Sequence, residues 1–410
     1  MANVFDVLKE RGFVEQVTDE EALKELLGRE EITCYIGFDP TAKSFHVGNL
    51  LPILALVHMQ RHGHRPIALL GGGTGLIGDP SGKKETRPLM AQRELEENAK
   101  GLEAKLARFL DFEGGKALLL NNADWLTKLN YIEFLRDIGK HFSVNRMLQA
   151  ETYRIRYETT GLNFVEFNYM LLQAYDFLHL FRHYNCVLQM GGSDQWANIC
   201  AGVDLIRRVE GGEAYGLVFP LVTTATGEKM GKTEKGAIWL DPNLTSPYEF
   251  YQYWINVDDR DVERFLALFT FLPMEEVRRL GSLKGEELRE AKEVLAFEVT
   301  KIVHGEEEAK RARNASRAVF AGEGVDLSAL PTTEIDHERL REGIPAYELF
   351  VITGLTSSKS EARRLISQGG GYINGERIKE FDQKIGLKDL KDGTILLRAG
   401  KKRYHRVVAK

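Results

Sequence analysis

The sequence predicts an α/β protein whose first 220 or so residues build a parallel sheet covered on both faces by helices. Two observations carry this. Short apolar runs alternate with longer amphipathic stretches, the order of a βα chain. The runs are continuously apolar, as strands buried on both faces are. Sheets of this kind bind ligands beyond the carboxyl ends of their strands, which is where polar, glycine-containing segments follow the runs here.

Taken in order, "ITCYIGF" (32–38) reads as a strand and "NLLPILALVHMQRHG" (49–63) as a helix. "PIALLGGGTG" (66–75) is the next strand and "LMAQRELEENAKGLEAKLARFL" (89–110) the next helix. "ALLLNNADW" (117–125) follows, then helical "NYIEFLRDIGKHF" (130–142) and a strongly apolar helix in "FNYMLLQAYDFLHLF" (167–181). "NCVLQMGG" (185–192), "WANICAGVDLIRRV" (196–209) and "GLVFPLVTT" (216–224) complete the pattern as strand, helix and strand. From about Asn243 to Arg317 the periodicity is helical, in "SPYEFYQYWINV", "VERFLALFTFL" and "EELREAKEVLAFEVTKIVHG". The polar, Gly- and Pro-containing stretch 321–344 reads as a linker. The last 65 residues form a separate unit: "TSSKSEARRLISQGG" has serine caps, a basic helix and a glycine stop, and "YINGERI" is a hairpin with Asn-Gly at its turn. The expected divisions are 1–222, a loop at 223–235, a helical domain at 236–320, the linker, and 345–410. No internal repeat or low-complexity tract is visible.

A chain of 410 residues has room for two or three domains. Cys34, Cys186 and Cys200 show neither disulfide nor metal-ligand spacing, which points to reduced thiols and a cytoplasmic home. No apolar run reaches the roughly 18 residues that span a bilayer, so no membrane partner is expected. The N-terminus mixes acids and bases from Asp6 on, unlike a signal peptide. The net charge of −5 hides an uneven distribution. Residues 346–410 hold 14 Lys/Arg against 7 Asp/Glu, while the remainder is strongly acidic. A basic module on an acidic body suits an anionic partner, and nucleic acid is the commonest; a solvated lysine-rich surface is the plainer alternative.

Five segments could carry chemistry. In "CYIGFDPTAKSFHVGN" (34–49), Asp39, Thr41, His46 and Asn49 crowd the exit of a strand. Gly48 lets backbone approach a ligand, and the following helix start favours phosphate. A capping turn with Asn49 as N-cap and Pro52 in the first turn fits as well. "GGGTGLIGDPSGKKETR" (71–87) is glycine-dense but lacks the spacing of a P-loop or dinucleotide fingerprint. Within it Asp79 suits an ammonium group, and Lys83, Lys84 and Arg87 suit phosphate or solvent. On the helix at 167–181, Tyr169, Gln173 and Asp176 share one face, forming an internal hydrogen-bond network or the wall of a polar pocket. "MGGSDQWAN" (190–198) offers Asp194 to a ribose hydroxyl pair, or serves as a capped strand-to-helix turn. In "TTATGEKMGKT" (223–233), Lys229 and Lys232 flank Gly231, an arrangement for gripping phosphates briefly or an exposed loop.

Together these segments resemble the class I aminoacyl-tRNA synthetases. HVGN (46–49) is similar to their first signature, HIGH, and KMGKT (229–233) to the second, KMSKS. "GFDPTA", "GDPSGK", "NYMLLQAYDF" and "GGSDQW" narrow the resemblance to the bacterial tyrosyl-tRNA synthetase family. The C-terminal "SSKSEARRLISQGG…YINGERI" resembles the small α+β RNA-binding module shared with ribosomal protein S-four. The resemblance spans nearly the whole chain and implies a Rossmann-like catalytic domain, an α-helical domain and that RNA-binding domain.

It also implies roles. Tyr35 and Asp176 would bond the phenolic hydroxyl of tyrosine. Tyr169, Gln173 and Asp79 would hold its ammonium group, with Asp39 and Gln195 near the ammonium and carboxylate end. Gly192 and Asp194 would meet the ATP ribose. Thr41 and His46 would stabilise the departing pyrophosphate, with Gly37, Gly48 and Asn49 on the ATP side. Lys229 and Lys232 would close over it, assisted by Lys83 and Arg87. Asn49 replaces the last histidine of HIGH and keeps a side-chain nitrogen at similar reach. Gly231 and Thr233 replace the serines of KMSKS. The implied reaction joins L-tyrosine to ATP as tyrosyl-adenylate, expelling pyrophosphate, then passes tyrosine to the 3′ end of tRNA(Tyr). Mg²⁺ is expected with ATP, without a dedicated protein metal site, and a homodimer is implied. A tryptophan-specific relative is disfavoured by the Tyr35/Asp176 pair, since an indole has no use for an acid at its far edge. An RNA-binding protein without catalysis is disfavoured by His46, Lys229 and Lys232, and a nucleotidyltransferase that ignores tRNA by the basic tail.

Overall fold

Six strands make the sheet of the first unit: β1 (Gln16–Val17), β2 (Thr33–Phe38), β3 (Arg65–Leu70), β4 (Leu118–Asn121), β5 (Cys186–Gly192) and β6 (Tyr215–Phe219). In this computed structural model residues 2–410 are described except 82–89, 160, 234–235, 322–329 and 401–402, together with the side chains of 232–233 and 319–321. The strand order is β1-β6-β5-β2-β3-β4. All neighbours are parallel except β1, which runs antiparallel along the edge of β6. A two-residue strand has no hydrophobic pattern to read, so it was invisible in the sequence; its backbone covers an edge that would otherwise be open. The chain steps from β2 to β3 to β4 in one direction, then returns to β5 and β6 on the other side. The order therefore reverses between β2 and β5, and a crevice opens beyond their carboxyl ends.

Two helices set the walls of that crevice. The helix Leu50–Arg61 is apolar almost all round, and its residues from Leu50 to Met59 are nearly all buried, as a helix lying wholly in a core must be. The helix Phe164–Tyr184 starts where the Asn163 side chain accepts from the Glu166 amide at 2.8 Å and ends at left-handed Asn185. Arg156 donates to both oxygens of Glu166 at 2.9 Å, and both side chains are buried. That pairing compensates the two charges where neither meets water. Phe177 of this helix packs on Tyr35 of β2, ring centres 5.4 Å apart.

Two compact units result: 1–244 with 256–295, and 245–255 with 296–410. Of the helical stretch, Val262–Phe269 and Met274–Gly281 belong to the first unit, Pro247–Ile255 and Glu306–Ala321 to the second. The second unit carries a five-stranded sheet built on Thr394–Ala399 and Arg403–Ala409, with its own buried core around Leu349, Phe350, Ile395 and Leu397. Its hairpin turns at Asn374 and Gly375, both at positive φ, the conformation that Asn-Gly supplies. The basic helix is Lys359–Ser367, its cap Ser358 accepting from the Glu361 amide. The stretch read as a linker differs from that reading: Thr332–Ile335 pairs in parallel with Arg403–Ala409, and a helix follows at His337–Glu342. Only Ile335 of that strand is buried, so it is held by backbone bonds that composition cannot reveal. No described helix is long and apolar enough to cross a membrane.

Candidate active site

A cavity of about 380 Å³ lies beyond the carboxyl ends of β2, β3 and β5. Tyr35, Asp39, Asp79, Tyr169, Gln173 and Asp176 line it, as do Gly37, Thr41, His46, Asn49, Gly192 and Gln195. Four of the five segments thus line one crevice, at the point where the strand order reverses.

At its deep end stands Asp176, 2% exposed. Its Oδ1 accepts from Trp125 Nε1 at 2.7 Å and its Oδ2 from Asn122 Nδ2 at 2.8 Å. Burial pushes its pKa up to about 7, although both hydrogen bonds pull it down. Asn122 is itself locked, its Oδ1 accepting from the Gly73 amide at 2.8 Å and its Nδ2 donating to Thr74 Oγ1 at 3.0 Å. Tyr35 is 1% exposed, and among the described residues its hydroxyl has no partner. Burial first, then the charge of Asp176, raises its pKa far above the ordinary phenol value, so it stays a neutral donor. The Oε1 of buried Gln189, opposite Tyr35 in the β2–β5 register, is also without a partner among the described residues. Buried polar groups left open on a cavity wall call for a polar ligand.

The middle of the cavity is acidic. Asp39 accepts from Thr74 Oγ1 at 2.9 Å and from the Tyr169 hydroxyl at 3.2 Å. A Cβ on Gly71 would stand 2.0 Å from Asp39 Oδ1, so only glycine admits the carboxylate there. Asp79 accepts from the Ser81 amide at 2.9 Å and from Gln195 Nε2 at 2.8 Å. Asn198 Nδ2 lies 3.2 Å from Gln173 Oε1 and 3.3 Å from Gln195 Oε1. Two carboxylates, each held by neutral donors, form a cradle for a cation such as an ammonium group.

At the outer end HVGN meets the segment after KMGKT. His46 Nδ1 accepts from the Gly48 amide at 3.0 Å, and Asn49 Oδ1 accepts from the His46 amide at 3.1 Å. The cap is therefore His46, with Asn49 reaching back to it. Asn49 itself has helical backbone and makes no cap bond of its own, so in the capping-turn alternative the cap is His46 and not Asn49. With Nδ1 accepting, the neutral ring carries its proton on Nε2. Residues 45–47 pair with 238–240, Val47 N donating to Ile238 O and Leu240 N to Phe45 O, both at 2.9 Å. Gly231 has φ of +78°, and a Cβ there would lie 3.3 Å from both Gly48 N and Val47 Cβ. Thr41, Gly48 and Lys229 are exposed. Asp194 is half-buried, its pKa raised chiefly by that burial, and it accepts from Gln195 Nε2 at 3.2 Å. The Lys232 backbone pairs with Ala237; its side chain, and the whole of Lys83 and Arg87, lie outside the described residues.

Sequence reasoning missed Asn122, Trp125, Thr74, Gln189 and Asn198. Gln189 left a signal, a lone amide in an apolar strand. Asn122 and Trp125 sat in "NNADW" directly after a strand, the position where this sheet type places ligand contacts.

A family model described as tRNA synthetases class I (W and Y) matches residues 27–321, and one described as the tyrosine–tRNA ligase SYY-like C-terminal domain matches 325–407. The chain is 59% identical to the tyrosine–tRNA ligase of Desulfatibacillum aliphaticivorans, over 99% of this chain and 98% of that one. It is 58% identical to that of Caldanaerobacter subterraneus subsp. tengcongensis, over the full length of both. Among solved structures, a C-terminally truncated mitochondrial tyrosyl-tRNA synthetase of Aspergillus nidulans superposes with a TM-score of 0.71 at 30% identity, covering 78% of this chain and 95% of that one.

Proposed function

The chain belongs to the class I tRNA synthetases as a tyrosine–tRNA ligase, and from that premise we propose how its cavity divides the work between tyrosine and ATP. Tyr35 donates to, and Asp176 accepts from, the phenolic hydroxyl of tyrosine. The observation that carries this is the buried Tyr35 hydroxyl, without a partner among the described residues, beside a carboxylate already held by two donors. A site built to bond a hydroxyl leaves buried groups unpaired when phenylalanine enters, a rule this enzyme family itself exemplifies. Tyr169, Gln173, Asp79, Asp39 and Gln195 hold the ammonium end. Gly192 and Asp194 take the ribose of ATP. Thr41, His46, Gly48, Asn49 and Gly37 face its phosphates, with Lys229, Lys232, Lys83 and Arg87 gripping the departing pyrophosphate.

The tyrosine carboxylate attacks the α-phosphorus in line. It is already ionised at neutral pH, so no general base is needed. The protein's part is to hold both substrates in reach and to stabilise negative charge as it grows on the leaving phosphates. His46 supports that reading, since its Nδ1 accepts from the Gly48 amide and the neutral ring therefore carries its hydrogen on Nε2. Among the described residues no group of three His, Cys, Asp or Glu side chains could hold a metal ion. Mg²⁺ is assigned to the ATP phosphates as their counterion, and no step is routed through it. The adenylate then yields tyrosine to the terminal adenosine hydroxyl of tRNA.

The same proposal assigns residues 345–410 to an S-four-like RNA-binding domain, on the resemblance of "SSKSEARRLISQGG…YINGERI" to that module with the basic excess in support, and 1–222, 223–235 and 236–320 to catalytic domain, signature loop and helical domain. A homodimer is favoured by exposed apolar side chains concentrated between Tyr131 and Val165, including Ile132 at 69% and Tyr157 and Phe164 at 66%. Three free cysteines suit a cytoplasmic location. The test is ATP–pyrophosphate exchange by the full chain with tyrosine, phenylalanine or tryptophan, followed by charging of total tRNA. Exchange with tyrosine alone is expected. A chain cut before Leu330, which spares no half of the C-terminal sheet, keeps exchange and loses charging; equal loss of both activities would refute the modular assignment.

A further inference from the structure

Trp125 is held from two sides by one helix. Its Nε1 donates to Asp176 Oδ1 at 2.7 Å, and its ring lies flat on His179, with centroids 4.2 Å apart and planes 13° from parallel. Asp176 and His179 are three residues apart on the helix Phe164–Tyr184 and so share a face. His179 is half-buried, with His183 and Tyr175 ring centres 4.4 and 6.5 Å away. Burial, then His183 and Arg182, lowers its pKa to about 4, so the stacked ring is neutral at neutral pH.

An indole can aim its single N–H only within the plane of its ring. Whatever fixes the plane fixes where that hydrogen points, and hence which lone pairs of Asp176 remain for a third donor. We propose that His179 is a positioning residue for the selection of tyrosine over phenylalanine: by stacking on Trp125 it aims the indole N–H at Asp176 and presents the remaining face of the carboxylate to the phenolic hydroxyl. His179 does not line the cavity. The inference rests on the assignment of Asp176 to that hydroxyl.

The readout is the ratio of kcat/KM for tyrosine to that for phenylalanine in ATP–pyrophosphate exchange by the full chain. His179→Ala lowers the ratio about fivefold, the scale of one lost aromatic stack, chiefly through KM for tyrosine and with KM for ATP unchanged. His179→Gln, which fills space without a ring, falls with it and serves if the alanine variant does not fold. His179→Phe keeps a flat ring and stays within about twofold of the parent. In a Trp125→Phe background, which has no indole hydrogen to aim, His179→Ala changes nothing further. An equal drop in both backgrounds, or a phenylalanine variant no better than alanine, overturns the inference. Asp176→Asn separates the two levels. If it leaves the ratio intact, the assignment of Asp176 fails, and this inference with it. If it collapses the ratio while His179→Ala leaves it unmoved, the role of His179 alone fails.

Discussion

The two ends of the cavity are built in opposite ways. At the deep end, Tyr35 and Asp176 are 1% and 2% exposed, and each Asp176 oxygen is already held by a side-chain donor. At the outer end, Thr41, Gly48 and Lys229 are exposed, and backbone bonds such as Val47 N to Ile238 O join HVGN to the segment that follows KMGKT. Recognition of one hydroxyl gains from desolvation, because an unpaired group is costly only where water cannot reach it. Binding and releasing a multiply charged leaving group is served by donors that water can also reach.

The contrast can be broken by mutation, beginning with the deep end. Asp176→Ala strands the donors of Asn122 and Trp125 as well as the phenol, and should lower kcat/KM for tyrosine about 10³-fold. Exchange assays should find KM for ATP nearly unchanged; a shared loss would mean that the ends are not separate. His46→Ala removes the proposed donor to the leaving phosphates and should lower kcat about 10²-fold. Because the deep end is untouched, KM for tyrosine should hold in the same steady-state assay. The smallest expected effect sharpens the comparison through pH. Asp176 has its pKa raised to about 7 by burial, and in the proposed role it accepts from the phenol as a carboxylate. On acidification the protonated fraction grows, so kcat/KM for tyrosine should fall about tenfold per unit below that point. A pH profile of the free enzyme checks this, and Asp176→Asn should flatten the limb at its own lower level of activity.

Much of this was open to a reader of the sequence. Continuous apolar runs and capped helices are local patterns, and they placed the strands of the first sheet apart from its two-residue edge. Motif order placed Tyr35, Asp39, His46, Asp79 and Asp176 on segments that the fold brings to one crevice. Less legible was anything set by a partner far along the chain. Asn122 and Trp125 lie more than fifty residues from the carboxylate they hold. The strand Thr332–Ile335 joins its sheet through backbone groups that every residue carries. His46 took the capping role that the capping-turn alternative gave to Asn49 because a helical turn inserted between the motif and the long helix moved the N-terminus three residues earlier.

By itself the sequence determined the alternation of strand and helix, the identity of the chemical groups and the order in which they occur. Periodicity, caps and motifs are all properties of neighbouring residues. Only the tertiary structure decided that Asp176 is buried deeply enough to hold its proton to about pH 7 and that two donors meet it there. It also left the Tyr35 hydroxyl to face the cavity without a partner among the described residues. Desolvation and hydrogen bonding depend on everything that surrounds a group, and those surroundings exist only once distant segments have packed.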